Sequence, residues 1–161
     1  MKTFVIGDLH LNHEKIIELC NRPFKDVNEM NEKLIENWNR VVSPKDTVYF
    51  LGDLCFEKKD CKRDYWLSRL NGNIILIKGN HDHGKGLIYN IMFKNIFLTH
   101  DPYNLKVKPN MVMIHGHQHN KGKLIDKVRR RICVSAELIN YTPIELNEIL
   151  KKYREEKWKI Q

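Results

Sequence analysis

Five short apolar runs in this sequence each end in a polar segment carrying aspartate, asparagine or histidine. Thr3 to Ile6 leads into Gly7-Asp8-Leu9-His10, and Val48 to Leu51 into Gly52-Asp53. Ile74 to Ile77 leads into Lys78-Gly79-Asn80-His81-Asp82, Ile96 to Leu98 into Thr99-His100-Asp101, and Met111 to Ile114 into His115-Gly116-His117-Gln118-His119. Apolar runs of this length, bounded by such segments, read as strands. In open α/β sheets ligands sit outside the carboxyl ends of the strands, so these segments can be brought to one edge. Three imidazoles in five residues build a poor core and an odd surface; leaving a buried strand through Gly116, His117 and His119 can aim at one pocket. Alone, such a cluster is also compatible with a surface tract. The four segments upstream favour metal chemistry.

The residues between the runs supply helices. Ile16, Ile17, Leu19 and Cys20 fall at helical spacing before Asn21-Arg22-Pro23. Asp26-Val27-Asn28-Glu29 resembles a capping box, and Val27, Met30, Leu34, Trp38 and Val41 follow at three- and four-residue steps, predicting a helix over 27–41. Cys61, Tyr65, Leu67 and Leu70 mark another between Glu57 and Leu70. The unbroken Ile74-Ile75-Leu76-Ile77 reads as a strand covered on both faces, so helices should flank the sheet. Gly84-Lys85-Gly86 reads as a flexible turn. After Lys94 the apolar runs crowd together, with Leu124 to Val128 and Ile132 to Val134 as further strands. Thr142-Pro143-Ile144-Glu145, a capping box with Pro at the first helical position, predicts a last helix through Leu146, Ile149, Leu150 and Tyr153.

A length of 161 residues fits one domain with a core of its own. No apolar run approaches the roughly 20 residues that span a bilayer, and Met1 to Asp8 meets a carboxylate too soon for a secretory leader. A cytoplasmic protein is expected. Cys20, Cys55, Cys61 and Cys133 show no C-x-x-C spacing, so they read as reduced thiols rather than a zinc site. The formal charge of +8 favours a polyanionic partner such as nucleic acid. Arg129-Arg130-Arg131 reads as a solvated turn, with a nucleic-acid patch as the alternative.

Asp8, His10, Asp53, Asn80, His100, His117 and His119 mix hard oxygen and imidazole donors, with no thiolate. Seven donors exceed what one tetrahedral zinc takes, and suit two ions sharing a carboxylate about 3.5 to 4 Å apart. In this order Asp8-x-His10, Gly52-Asp53, Gly79-Asn80-His81-Asp82, His100 and Gly116-His117-x-His119 resemble the calcineurin-like metallophosphoesterases. Arg22-Pro23-Phe24 and Asn140-Tyr141-x-Pro143 are similar to segments of the small single-domain members. Here His100 is followed by Asp101-Pro102 rather than glycine, and there is no cap domain.

The resemblance implies an α/β sandwich of two sheets flanked by helices, with a dinuclear site at one edge. It implies that Asp8, His10 and His119 hold the first ion, Asn80, His100 and His117 the second, and that Asp53 bridges them. The ions would be manganese first, with iron, zinc, nickel or cobalt also suited to the donors. Such a pair makes hydroxide available near neutral pH for in-line attack on phosphorus. His81, free of metal, would protonate the leaving oxygen or stabilise equatorial charge. Asp82 reads as a carboxylate orienting His81 or as a turn residue. His115 reads as structural and His83 as exposed. His13 and Arg22 are candidates for binding substrate phosphate, Arg22 through a bidentate fork. The expected activity is phosphoesterase, on diesters such as nucleotides or nucleic-acid ends more than on monoesters. A metal-binding, non-catalytic scaffold is the alternative.

Overall fold

A computed structural model of the chain describes residues 1–56, 63–84, 87–103 and 108–156. The strands are β1 (Thr3–Ile6), β2 (Thr47–Leu51), β3 (Asn73–Ile77), β4 (Asn90–Phe93), β5 (Ile96–Thr99), β6 (Val112–His115), β7 (Ile125–Asp126), β8 (Arg131–Cys133) and β9 (Ile144–Glu145). They make two mixed sheets, in the orders β3-β2-β1-β9 and β4-β5-β6-β8-β7. β1, β2 and β3 run parallel, as do β5, β6 and β8. A parallel bridge from Gly7 to Ser135, just beyond β1 and β8, joins the sheets and aligns the two sets, so six carboxyl ends share one edge.

The two-residue period of the strands decides the layers. Phe4, Ile6, Val48 and Phe50 face a core shared with Met30, Leu34, Trp38 and Trp66. Val5, Leu51 and Ile77, on the other face, meet Ile96, Leu98, Ile114 and Ile132 of the second sheet. The first sheet is thus packed between helices and the second sheet. This is the flanked two-sheet α/β sandwich that the motifs implied.

The helices are α1 (Lys15–Leu19), α2 (Val27–Val41), α3 (Arg63–Ser68) and α4 (Leu146–Glu155). The Asp26 carboxylate accepts the Glu29 N–H at 2.8 Å and so caps α2. Trp38, fully buried on its apolar stripe, donates Nε1–H to Asn71 O at 2.9 Å. Its truncation to alanine would cost about 3–5 kcal/mol.

Several elements differ from the sequence reading. β3 is an edge strand whose Ile74, Ile75 and Leu76 are only half-buried; on its outer side the pairing found among the described residues is an isolated parallel bridge from Ile77 to Ile88. The final helix does not start at Pro143: Ile144 and Glu145 pair with Val5 and Phe4, and this antiparallel ladder delays the helix to Leu146. Leu124 to Val128 yields only the two-residue β7, since Arg129 N–H bonds back to the Asp126 carboxylate and closes a turn. β4 was not anticipated; its Asn90 and Met92 are exposed and leave a weak apolar pattern. Of the helix expected between 57 and 70, the described part is Arg63–Ser68; Cys61 and the residues 85–86 lie outside the described residues. Cys20, Cys55 and Cys133 are buried. Among the described residues, no helix is long and apolar enough to cross a membrane.

Candidate metal centre

The five polar segments meet at the shared carboxyl edge. The loops after β1 and β2 are zipped together: Asp8 N–H donates to Gly52 O at 2.9 Å, His10 N–H to Asp53 O at 3.0 Å and Leu11 N–H to Leu54 O at 2.9 Å. Their backbones are left-handed, with φ of 60° at Asp8, 51° at His10 and 59° at Asp53. His117 and His119 repeat this at 71° and 48°. Such conformations are uncommon for residues with a β-carbon and gather at functional sites. Gly79 is required by close approach, because a β-carbon there would collide with the Asp53 carboxylate. Gly52, at φ 87°, lies against the His100 ring, where a β-carbon would come within 2.5 Å of Nδ1.

Asp53 stands at the centre. Its Oδ2 is 3.5 Å from His10 Nε2 and 3.5 Å from His100 Nε2. Asp8 Oδ1 is 3.9 Å from His119 Nε2, and His100 Nε2 is 3.2 Å from His117 Nδ1. Donor atoms that share an ion at about 2.0–2.2 Å stand roughly 3–4 Å apart, so these spacings suit a cation. Asp8, His10 and His119 form one group whose ligand atoms lie within 4.8 Å of one another, and Asp8, Asp53 and His100 form another. Asn80 is exposed and lines the same cleft wall as His100.

The ring orientations of His100 and His119 fit metal binding. His100 donates Nδ1–H to Leu51 O at 2.8 Å, which leaves the Nε2 lone pair facing Asp53. Glu137 Oε1 engages His119 Nδ1 at 3.0 Å in the same way. Burial, with His119 and Arg22 nearby, drives His10 well below the usual imidazole range, and its Nε2 is buried without a hydrogen-bond partner. Burial raises the Asp8 carboxyl to about 6, against the opposing pull of His100 and His119. Burial opposes charge on His119 too, yet its bonds to Cys20 and Glu137 and the Asp8 carboxylate raise it to about 10. A dry carboxylate resisting ionisation beside an imidazole nitrogen with no donor is the combination that a divalent cation relieves.

The remaining candidates fall into two groups. His81 is exposed at the rim; its backbone N–H donates to Asp53 Oδ1 at 2.8 Å and its ring lies 5.4 Å from that of His10. His13 is half-buried, 3.4 Å from His10 between Nδ1 atoms, and stacks on Phe56 at 4.2 Å. Both face the cleft. Asp82, by contrast, does not orient the His81 ring: its carboxylate accepts the N–H groups of Asp53 at 2.7 Å, Gly79 at 2.8 Å and Leu54 at 3.1 Å. Arg22 is buried, and its five N–H groups go to Leu9 O, Met30 Sδ, Asp8 O and, twice, Glu137 Oε1. It has no fork left for phosphate and instead braces the Asp8 loop. His115 is buried with Nδ1–H donating to Gly116 O at 2.7 Å, and His83 is exposed. Sequence reasoning missed Glu137, although Ser135-Ala136-Glu137 also follows an apolar strand.

The chain matches the calcineurin-like phosphoesterase family over residues 1–158. It is 44% identical over 161 residues to the uncharacterized protein MJ1445 of Methanocaldococcus jannaschii, covering 93% of this chain and 90% of that protein. It is 37% identical over 82 residues to the Gene 66 protein of Mycobacterium phage L5, covering 50% of this chain and 39% of that one. Among solved structures it resembles AQ665 of Aquifex aeolicus, a protein of unknown function, with a TM-score of 0.69 and 27% identity over 94% of this chain and 98% of that chain. On this evidence the chain belongs to the calcineurin-like phosphoesterases.

Proposed function

We propose that this chain hydrolyses phosphodiesters, of nucleotides or nucleic-acid ends, at a two-ion centre held by Asp8, His10, Asp53, Asn80, His100, His117 and His119. Family membership supports a hydrolase of phosphate esters. The observation that carries the finer reading is the placing of Asp53 Oδ2 at 3.5 Å from both His10 Nε2 and His100 Nε2, where one carboxylate can serve two ions. Two divalent cations would supply an activated water near neutral pH and neutralise charge on the phosphoryl oxygens.

The chain's own residues do the rest. Arg22 and Glu137 fix the Asp8 loop and His119, and Asp82 fixes Asp53, so the donors are held before any ligand arrives. His81, anchored by its backbone to Asp53, is free at its ring to give a proton to the leaving oxygen. His13, braced by Phe56, forms the wall on which a phosphoryl oxygen can be received. The open rim at Asn80 and His81 admits an extended ester, and the charge of +8 draws a polyanion. The imidazole and carboxylate donors suit manganese, and also iron, zinc, cobalt or nickel.

The test is a panel of monoesters, diesters, cyclic nucleotides and oligonucleotides on metal-stripped protein, with each ion added back. Diester hydrolysis that returns with the metal supports the proposal. Hydrolysis of monoesters alone would overturn the diester preference, and inactivity with every ion would leave a metal-binding scaffold.

A further inference from the structure

A strongly basic hollow lies outside the metal centre. On the outer face of the second sheet a cavity of about 260 Å³ is lined by Lys121, Lys123, Arg129 and Arg131, together with His115 and Gln118. The carboxylate on its wall, Asp126, is taken by Arg129 at 2.9 Å. Among the described residues, Lys121, Lys123 and Arg131 form no ion pair. Cations converging on a concavity without partners raise the local potential and attract an anion. The volume admits a phosphate group, and the cationic lining selects an anion.

This hollow is next to the site already described. Gln118, between His117 and His119 in sequence, lines both the basic cavity and the cleft that contains those histidines. Its Nε2 donates to the Tyr103 hydroxyl at 2.8 Å, and Tyr103 lines both spaces as well. Lys121 lines both spaces too, so Tyr103, Gln118 and Lys121 form the partition between them.

We propose that the basic cavity binds a second, non-reacting phosphate of the substrate whose reacting phosphate lies at the metal centre. The inference rests on the phosphoesterase reading. Lys121 and Lys123 act as point charges, and Arg131 offers a planar fork to two phosphate oxygens. That phosphate can belong to a nucleic-acid strand or to a small nucleotide bearing a second phosphate.

The test compares metal-loaded wild type with Lys121→Gln/Lys123→Gln, whose lysines are exposed and leave folding intact, and with Arg131→Gln. Two nitrophenyl esters of a nucleotide are used, identical except that one carries a second phosphate on the sugar. Wild type should show a lower KM for the two-phosphate ester, and the ratio of the two KM values should fall by about tenfold in each variant. Adding nucleotides beyond the second phosphate separates the sources: a further drop in KM assigns a strand, and no drop assigns a small nucleotide. Calorimetry of inorganic pyrophosphate on metal-stripped protein reads the cavity without catalysis. Binding that disappears in the variants, in a protein that hydrolyses neither ester, would defeat the phosphoesterase reading while supporting the anion site. Equal KM values for both esters in wild type, or pyrophosphate binding unchanged in the variants, overturns the proposal.

Discussion

Asp82 holds Asp53 from 29 residues further along the chain, its Oδ2 accepting the Asp53 backbone N–H at 2.7 Å. The same carboxylate ties Leu54 and Gly79, so it joins the loop after β2 to the loop after β3. Asp82→Asn replaces a charged acceptor by an amide that turns N–H groups toward N–H groups. It should lower stability by about 1.5–3 kcal/mol and weaken metal binding by about 10- to 100-fold. Urea midpoints and elemental analysis read the two effects. Wild-type metal affinity at reduced stability would confine Asp82 to folding.

Asp53→Asn addresses the bridge. An amide oxygen serves two ions poorly, so the variant should hold at most one ion per chain and lose hydrolysis. Elemental analysis after extensive dialysis decides the matter, and two tightly bound ions in the variant would rule out bridging.

His81→Ala should keep its metals, since the tie to Asp53 is made by the backbone N–H. A general acid contributes about 10² to 10⁴ in rate, most where the leaving oxygen is basic. The variant should therefore cleave a nitrophenyl ester with a small loss and an alkyl or nucleoside ester with a large one. Equal losses on both would make His81 an electrostatic group for the phosphoryl oxygens.

His115, which is not among the ligand candidates, gives a pH test. Burial depresses its pKa from 6.5 to about 4, so the unfolded chain takes up the proton before the folded one does. Its contribution is intact above pH 6.5 and is lost as pH falls toward 4, by about 3 kcal/mol in all. In metal-stripped protein, His115→Gln should remove that share of the acid instability. Denaturation midpoints at neutral pH and near pH 4.5 for both proteins supply the comparison, and parallel curves would contradict it.

The apolar runs located the strands of the parallel ladders, and the capped stripe from Val27 to Val41 gave α2, because period and cap agree there. The polar runs after those strands revealed the ligand candidates, because six parallel strand ends must share an edge. The supporting contacts were hidden for a physical reason. Arg22 looks like a surface cation until the fold buries it against Glu137, 115 residues away, and Asp82 sits beside His81 in sequence but turns to the backbone of Asp53. Long-range partners of that kind leave no periodic trace. The late start of α4 was likewise set by pairing with β1, which a local capping pattern does not register.

The left-handed backbones at Asp8, His10, Asp53, His117 and His119 set thermal robustness against catalytic capacity. Each departs from the conformation that a β-carbon prefers, at a cost on the order of 1 kcal/mol, and glycine would relieve that strain at every one of them. Engineering this chain only for heat resistance would therefore drift toward glycine at these positions, ending with a tougher scaffold stripped of its donors.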